Sequence, residues 1–130
     1  MNIPQNLKYE KTDEWAGAEA NEVTIGITDY AQSQLSDIVY LEYSVAVGDQ
    51  VSKGDIIATI ESVKAAAEVN APVSGKVAAV NEALTQTPEK LNTDPYGEAW
   101  LIKLEGATED ELAALMDAAA YEKYCQERGH

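Results

Sequence analysis

Ile56-Ile57-Ala58-Thr59-Ile60-Glu61-Ser62-Val63-Lys64-Ala65-Ala66-Ala67-Glu68-Val69-Asn70 sets an apolar run, one lysine and a row of alanines in direct succession. Residues 56–61 and 66–70 read as two β arms, and the lysine between them has the layout of a side chain displayed at a hairpin tip. Val63-Lys64 is not the Asn-Gly or Asp-Gly pair that favours two-residue hairpins, so the arms carry this reading and the turn dipeptide does not. Ala65, Ala66 and Ala67 leave space around the amine. As helix formers they would argue otherwise, but Val63, Val69 and Pro72 stand against a helix here. By composition alone, Lys64 is a solvated surface charge; only its setting marks it out.

Outward from the hairpin, the pattern continues as short strands with glycine and proline turns. Downstream, Pro72-Val73-Ser74-Gly75 is a turn and residues 76–80 a strand. Upstream, two Gly-Asp pairs, Gly48-Asp49 and Gly54-Asp55, mark turns on either side of Val51. Residues 38–43 read as a strand. So does Glu22-Val23-Thr24-Ile25-Gly26-Ile27, which alternates polar and apolar residues. Gly17 and the stretch around Ala20-Asn21 predict a turn before it. Thr28-Asp29 predicts an N-cap for a short helix ending at Leu35. Residues 82–92 show no strong period, and Pro88 opposes a long helix there. Asp94-Pro95-Tyr96-Gly97 is a turn leading into a strand at residues 100–104. Thr108-x-x-Glu111 is a capping-box pattern. Residues 118–126 predict a last helix whose Tyr121, Tyr124 and Cys125 share one face. The expected fold is mainly β: a small sandwich or flattened barrel with short peripheral and C-terminal helices.

A chain of 130 residues, 45 % of them apolar, suits one globular domain. Its β part is expected over about residues 7–105 and its helical tail over about 108–128. No apolar stretch approaches the roughly 20 residues that span a bilayer. The first residues have neither a basic-then-apolar secretory pattern nor the arginine-rich look of a transit peptide. A bacterial-type cytoplasm is the expected home, or the mitochondrial matrix if a leader has been removed. The formal charge of -14 disfavours nucleic acid and anionic membranes and favours protein partners with basic patches. Cys125 is the only cysteine and His130 the only histidine, which opposes a disulfide, a zinc cluster or a histidine-based triad. The expectation is a protein that carries chemistry without catalysing it, with no metal.

Glu61-Ser62-Val63-Lys64-Ala65, Ala71-Pro72-Val73-Ser74-Gly75 and Asn92-x-Asp94-Pro95-Tyr96-Gly97-x-x-Trp100-Leu101, in this order, resemble the H-protein family of the glycine cleavage system. The resemblance runs from about Leu7 to about Cys125. It implies the lipoyl and biotinyl carrier (barrel-sandwich hybrid) fold, with lipoic acid in amide linkage on Lys64. It also implies a carrier of the aminomethyl group of glycine and of reducing equivalents. The implied partners are a pyridoxal-phosphate glycine decarboxylase (P protein), a tetrahydrofolate-dependent aminomethyltransferase (T protein) and dihydrolipoyl dehydrogenase (L protein). A lipoate ligase or lipoyl transferase would attach the arm. Glu61 and Ser62 are the candidate recognition residues for that attachment, with strand-end polarity as the plainer reading. The resemblance places Glu14 against the cationic cargo, with Thr12 and Glu68 as helpers; by position alone Glu14 reads as a surface charge. The chain departs from the family pattern in three places. Thr12-Asp13-Glu14-Trp15 stands where Ser-His-Glu-Trp is frequent, Glu68 where aspartate is frequent, and Ala99 where glycine is frequent.

Four other readings remain at this point. A biotinyl domain would flank its lysine with methionines, where this chain has Val63 and Ala65. A lipoyl domain of a 2-oxo acid dehydrogenase would often show Asp-Lys-Ala and run into a linker, where this chain continues into a helical tail. An H-like lipoate donor to other enzymes has the same sequence features as a glycine-cleavage carrier. A true enzyme would need a constellation that one histidine and one cysteine do not supply. Trp15 and Trp100 read as core or cleft wall, Pro95 and Tyr96 as turn structure, and Cys125 as an apolar helix-face residue.

Overall fold

Nine short strands, all paired antiparallel, form two sheets in a computed structural model that describes residues 1–128. The strands are β1 (Lys8–Tyr9), β2 (Glu14–Glu19), β3 (Glu22–Ile27), β4 (Ile38–Tyr43), β5 (Gln50–Val51), β6 (Ile56–Ser62), β7 (Ala66–Asn70), β8 (Gly75–Val80) and β9 (Ile102–Glu105). The larger sheet runs β1-β2-β3-β9-β8-β5 and the smaller β4-β6-β7. They do not close into a barrel, so the sandwich half of the expectation holds. Four short α-helices lie at the margins: α1 (Asp29–Leu35), α2 (Lys90–Thr93), α3 (Glu109–Ala113) and α4 (Ala118–Arg128). A 3-10 turn, Glu82–Gln86, precedes α2, in keeping with the missing period and Pro88. His130 lies outside the described residues.

The main core is aliphatic. Ile25, Ile57, Ile60, Val73, Leu101, Ile102 and Leu104 are wholly buried. β6 supplies neighbouring buried residues, Ile57 and Ala58, which strict alternation forbids. A register shift between Ile56 and Ala58 accounts for it, because the extra residue of a bulge resets which face follows. A second, aromatic cluster lies under α4. There Tyr9 stacks on Tyr121 with centroids 4.7 Å apart, beside buried Trp15 and Cys125. The predicted helix face at Tyr121 and Cys125 is therefore the buried one, and Tyr124 is half-buried.

Several local expectations need correcting. Gly17 lies inside β2, paired with Thr24, and not in a turn; the reversal is at Ala20, whose φ is 54°. A Cβ at 17 would meet Leu7 Cδ2 at 2.9 Å, so the Leu7 side chain packs where a side chain at 17 would stand. Glu14–Glu19, where no strand is expected from the sequence, is a full strand. The expected strand over residues 100–104 begins at Ile102; Leu101 instead donates from its amide to the Ile25 carbonyl at 2.8 Å. Thr108 does cap α3, its hydroxyl accepting from the Glu111 amide at 3.3 Å. The reciprocal arm of the capping box is absent. The Glu111 carboxylate accepts instead from the amide and hydroxyl of Ser74, both at 2.9 Å, because two donors side by side suit a carboxylate better than one. Tyr96 does more than shape a turn: its hydroxyl accepts from the Asp29 amide at 2.9 Å and donates to the Asn2 carbonyl at 2.7 Å.

Candidate functional site

The β6–β7 hairpin presents Lys64 on a four-residue turn. The Ser62 amide donates to the Ala65 carbonyl at 2.7 Å, which leaves Val63 and Lys64 as the central pair. The Ser62 hydroxyl accepts from the amides of Lys64 and Ala65, at 3.3 and 3.1 Å, and lies 3.1 Å from the Ala65 carbonyl. A serine at the first turn position thus supplies the backbone partners that an Asn-Gly dipeptide would have made unnecessary. Neither of the two sequence expectations for Ser62, attachment recognition and strand-end polarity, includes this bracing of the turn. The tip is braced from outside, since the Val63 amide donates to the Asp37 carbonyl at 3.0 Å. Lys64 is exposed, and among the described residues no carboxylate lies within ion-pairing distance of its amine. Glu61 is also exposed, opposite Tyr40 on one side and Ala66 on the other.

The strand leaving the tip forms one wall of a cleft. Ala67, Glu68 and Val69 of β7 face Thr12, Asp13 and Glu14 at the entry to β2, and Ala31, Gln34 and Leu35 of α1, across about 180 Å³. From Lys64 to Glu68 is four residues of chain, on the order of 13 Å if extended. The structure brings Thr12, Glu14 and Glu68 to one cavity, although the first two are more than fifty positions from the third.

Glu14 is not a surface charge: it is 1 % exposed. Its Oε1 accepts from the Thr12 hydroxyl and its Oε2 from the Asn70 amide at 3.0 Å. Burial pushes its carboxyl up to about 7 against these two donors, and the neighbouring charges of Asp13 and Glu10 push the same way. A cation entering the cleft would reverse the balance, because an opposite charge favours the ionised acid. Ile27, Leu35, Ile60 and Val69 give the cavity apolar walls, and in such surroundings a charged hydrogen bond gains strength. Glu68 stands exposed at the mouth. Trp15 and Ala99 are buried packing residues and do not line the cleft. The Trp15 indole lies against Gly26, where a Cβ would come within 2.6 Å of its Nε1.

Sequence reasoning did not find the Asn70 amide or the α1 residues. A main-chain donor leaves no mark on residue identity, and α1 reaches the cleft only through the fold.

A sequence model described as "Glycine cleavage H-protein" matches residues 7–128. The glycine cleavage system H protein of Thermotoga maritima is 52 % identical over 118 residues, covering 91 % of this chain and 94 % of that one. That of Anaeromyxobacter sp. (strain K) is 47 % identical over 128 residues, covering 98 % and 99 %. That of Thermus thermophilus is 47 % identical over 123 residues, covering 95 % of each. Among solved structures, a glycine cleavage system H protein from Mycobacterium marinum superposes with a TM-score of 0.81 at 31 % identity, over 98 % of this chain and 100 % of that one.

Proposed function

The chain belongs to the glycine cleavage H-protein family, and on that footing we propose that it is the lipoylated carrier of a glycine cleavage system. The whole chain acts as one carrier domain, and the bacterial relatives favour a bacterial cytoplasm. The observation that carries this reading is an exposed lysine on a braced turn together with a buried carboxylate of β2, in a cleft walled by β7, the strand that leaves that turn. Lys64 is the attachment residue, and Glu61 and Ser62 form the surface that the lipoate ligase or lipoyl transferase meets.

The residues fit a lipoyl group. The tip is held on both sides while the amine is free, and the adjacent cleft is apolar-walled with one acid at its base. In amide linkage, lipoic acid supplies a dithiolane that can take up the aminomethyl group of glycine and undergo reduction and reoxidation. Ser62 and the Val63–Asp37 contact fix the point from which the arm leaves. Glu14 receives the ammonium end of the cargo, Thr12 orients the Glu14 carboxylate, and Glu68 adds negative potential at the mouth. Ile27, Leu35 and Val69 keep water from the labile group. The Asn70 amide holds the second oxygen, so Glu14 is aimed before the cargo arrives. No step needs a nucleophile or base from the protein, which supports a non-catalytic carrier serving glycine decarboxylase, aminomethyltransferase and dihydrolipoyl dehydrogenase in turn. The acidic surface suits partners with basic patches and hastens encounter with them.

Intact-mass analysis and peptide mapping of protein from a lipoate-replete host test the reading. The expected result is one lipoyl group, on the peptide containing Lys64. A bare lysine there, while other lipoyl acceptors in the same cells are filled, overturns it.

A further inference from the structure

The turn that carries Thr12 into Glu14 is held from behind by the last helix. Asp13 sits in the left-handed region at φ 77°, an uncommon conformation for a residue other than glycine. Its amide donates to the Glu10 carbonyl at 2.9 Å, and its own carbonyl accepts from the Thr28 amide at 3.0 Å. Its carboxylate takes two donors from α4: the Tyr121 hydroxyl at 2.8 Å and the Arg128 guanidinium, in an ion pair. Both members are more than two-thirds buried, so water screens the pair less than it would a surface contact. The guanidinium is flanked by aromatic rings, 4.1 Å from the Tyr30 centroid and 4.3 Å from that of Tyr124. Tyr121 also reaches Thr28, the N-cap of α1, with the two hydroxyl oxygens 2.6 Å apart. Two residues of α4, Tyr121 in its first turn and Arg128 at its last position, therefore grip two walls of the cleft together, the turn at Asp13 and the start of α1.

We propose that Arg128 is a positioning residue for the Glu14 cleft: by pairing with Asp13 and packing on Tyr30 it fixes the turn that aims Thr12 and Glu14 at the cargo. The proposal rests on the reading of this cleft as the seat of the aminomethyl group. Without Arg128, a second carboxylate beside the cleft loses its counter-charge and its turn loses an anchor. The charged groups around Glu14 are few. Asp13 and Glu10 lie beside it, with Lys53 3.7 Å from Glu10; Glu68 stands at the mouth, and Tyr121 and Arg128 lie behind Asp13. Asp13 is thus a near anionic neighbour of Glu14, and Arg128 is its counter-ion.

The experiment compares wild type with Arg128→Ala, Arg128→Lys, Asp13→Asn/Arg128→Ala and Glu14→Ala in the full-length lipoylated protein. Three quantities are read: ammonia release from the aminomethyl-loaded form without the transferase, the Glu14 carboxyl titration by carbon NMR, and Tm. Arg128→Ala is expected to release ammonia about fivefold faster, the weight of roughly one net hydrogen bond. It should also move the Glu14 titration upward, because the Asp13 charge is no longer balanced. Arg128→Lys should recover part of both changes. Asp13→Asn in the Arg128→Ala background should return the titration towards wild type. A folded Arg128→Ala protein with unchanged release and unchanged titration overturns the proposal, as does a lowered Tm with no change in either. Glu14→Ala separates the two claims. If it leaves release unaltered, the cargo reading falls by itself, and the titration, which needs no cargo, decides the positioning role.

Discussion

The Lys64 turn is closed by residues within three positions of one another, with a single main-chain brace from Asp37, whereas the Glu14 carboxyl is held by an amide 56 positions away. At the tip, one serine satisfies the turn backbone and the lysine is left in water. In the cleft, a carboxyl is withdrawn from water and held by a hydroxyl, a main-chain amide and, through Asp13, the end of the last helix. A displayed attachment point can be specified locally, because it requires a turn and nothing around the amine. A cargo seat needs walls, and walls come from distant segments. The first can be altered without disturbing the fold; the second carries a standing cost, because burying a carboxyl disfavours its charged form.

The largest contrast is expected from Lys64→Arg. It keeps the positive charge and the fold but removes the acylable amine, so glycine cleavage in a reconstituted system should fall to zero with unchanged Tm. Residual turnover would show that the tip is not the point of attachment. Next, Glu14→Ala should leave lipoylation intact and shorten the life of the aminomethyl-loaded form on the order of tenfold or more. A desolvated charged contact of roughly 1.5–3 kcal/mol is removed. Equal effects on attachment and on cargo lifetime would abolish the division between the regions.

The third test uses pH. The folded protein keeps Glu14 protonated up to about 7, while the unfolded chain releases that proton from its ordinary value of 4.5. Stability contributed by this group is therefore full below the lower value and is lost as pH rises through the window. The loss is on the order of 3 kcal/mol, at about 1.4 kcal/mol per unit. Glu14→Gln lacks this slope and should be the more stable protein at pH 8 by about 1–3 kcal/mol in urea denaturation. Parallel pH profiles for the two proteins would place the carboxyl in solvent. The smallest effect belongs to Ser62→Ala. It removes the side-chain partners of the turn, should lower stability by about 1 kcal/mol, and should slow lipoylation several-fold while leaving cargo lifetime unchanged. An altered cargo lifetime would mean that tip and cleft are coupled.

How much could be read beforehand follows the same division. The hairpin arms, β3, the cap of α1 by Thr28 and the buried face of α4 were legible, since each rests on alternation, periodicity or a cap within a few residues. Glu14–Glu19 was not, because Glu14 is a buried charged residue and Gly17 imitates a turn. Glu14 itself became a candidate only through resemblance to a family motif; nothing in its neighbours announces 1 % exposure. Glu111 shows how a local rule is overridden. A reciprocal cap was available, but the paired donors of Ser74, 37 positions away, captured the carboxylate.

From its sequence alone, the chain determined that it would be built of short strands, that one lysine would stand at the tip of a hairpin, and which family it resembles. These follow from side-chain period, turn chemistry and motif order, all properties of neighbouring residues. Only the tertiary structure decided that Glu14 is buried, that β7 and α1 enclose it, and that Tyr121 and Arg128 hold Asp13 from 108 and 115 positions away. Desolvation and long-range hydrogen bonding depend on what the folded chain brings near, and no local pattern encodes that.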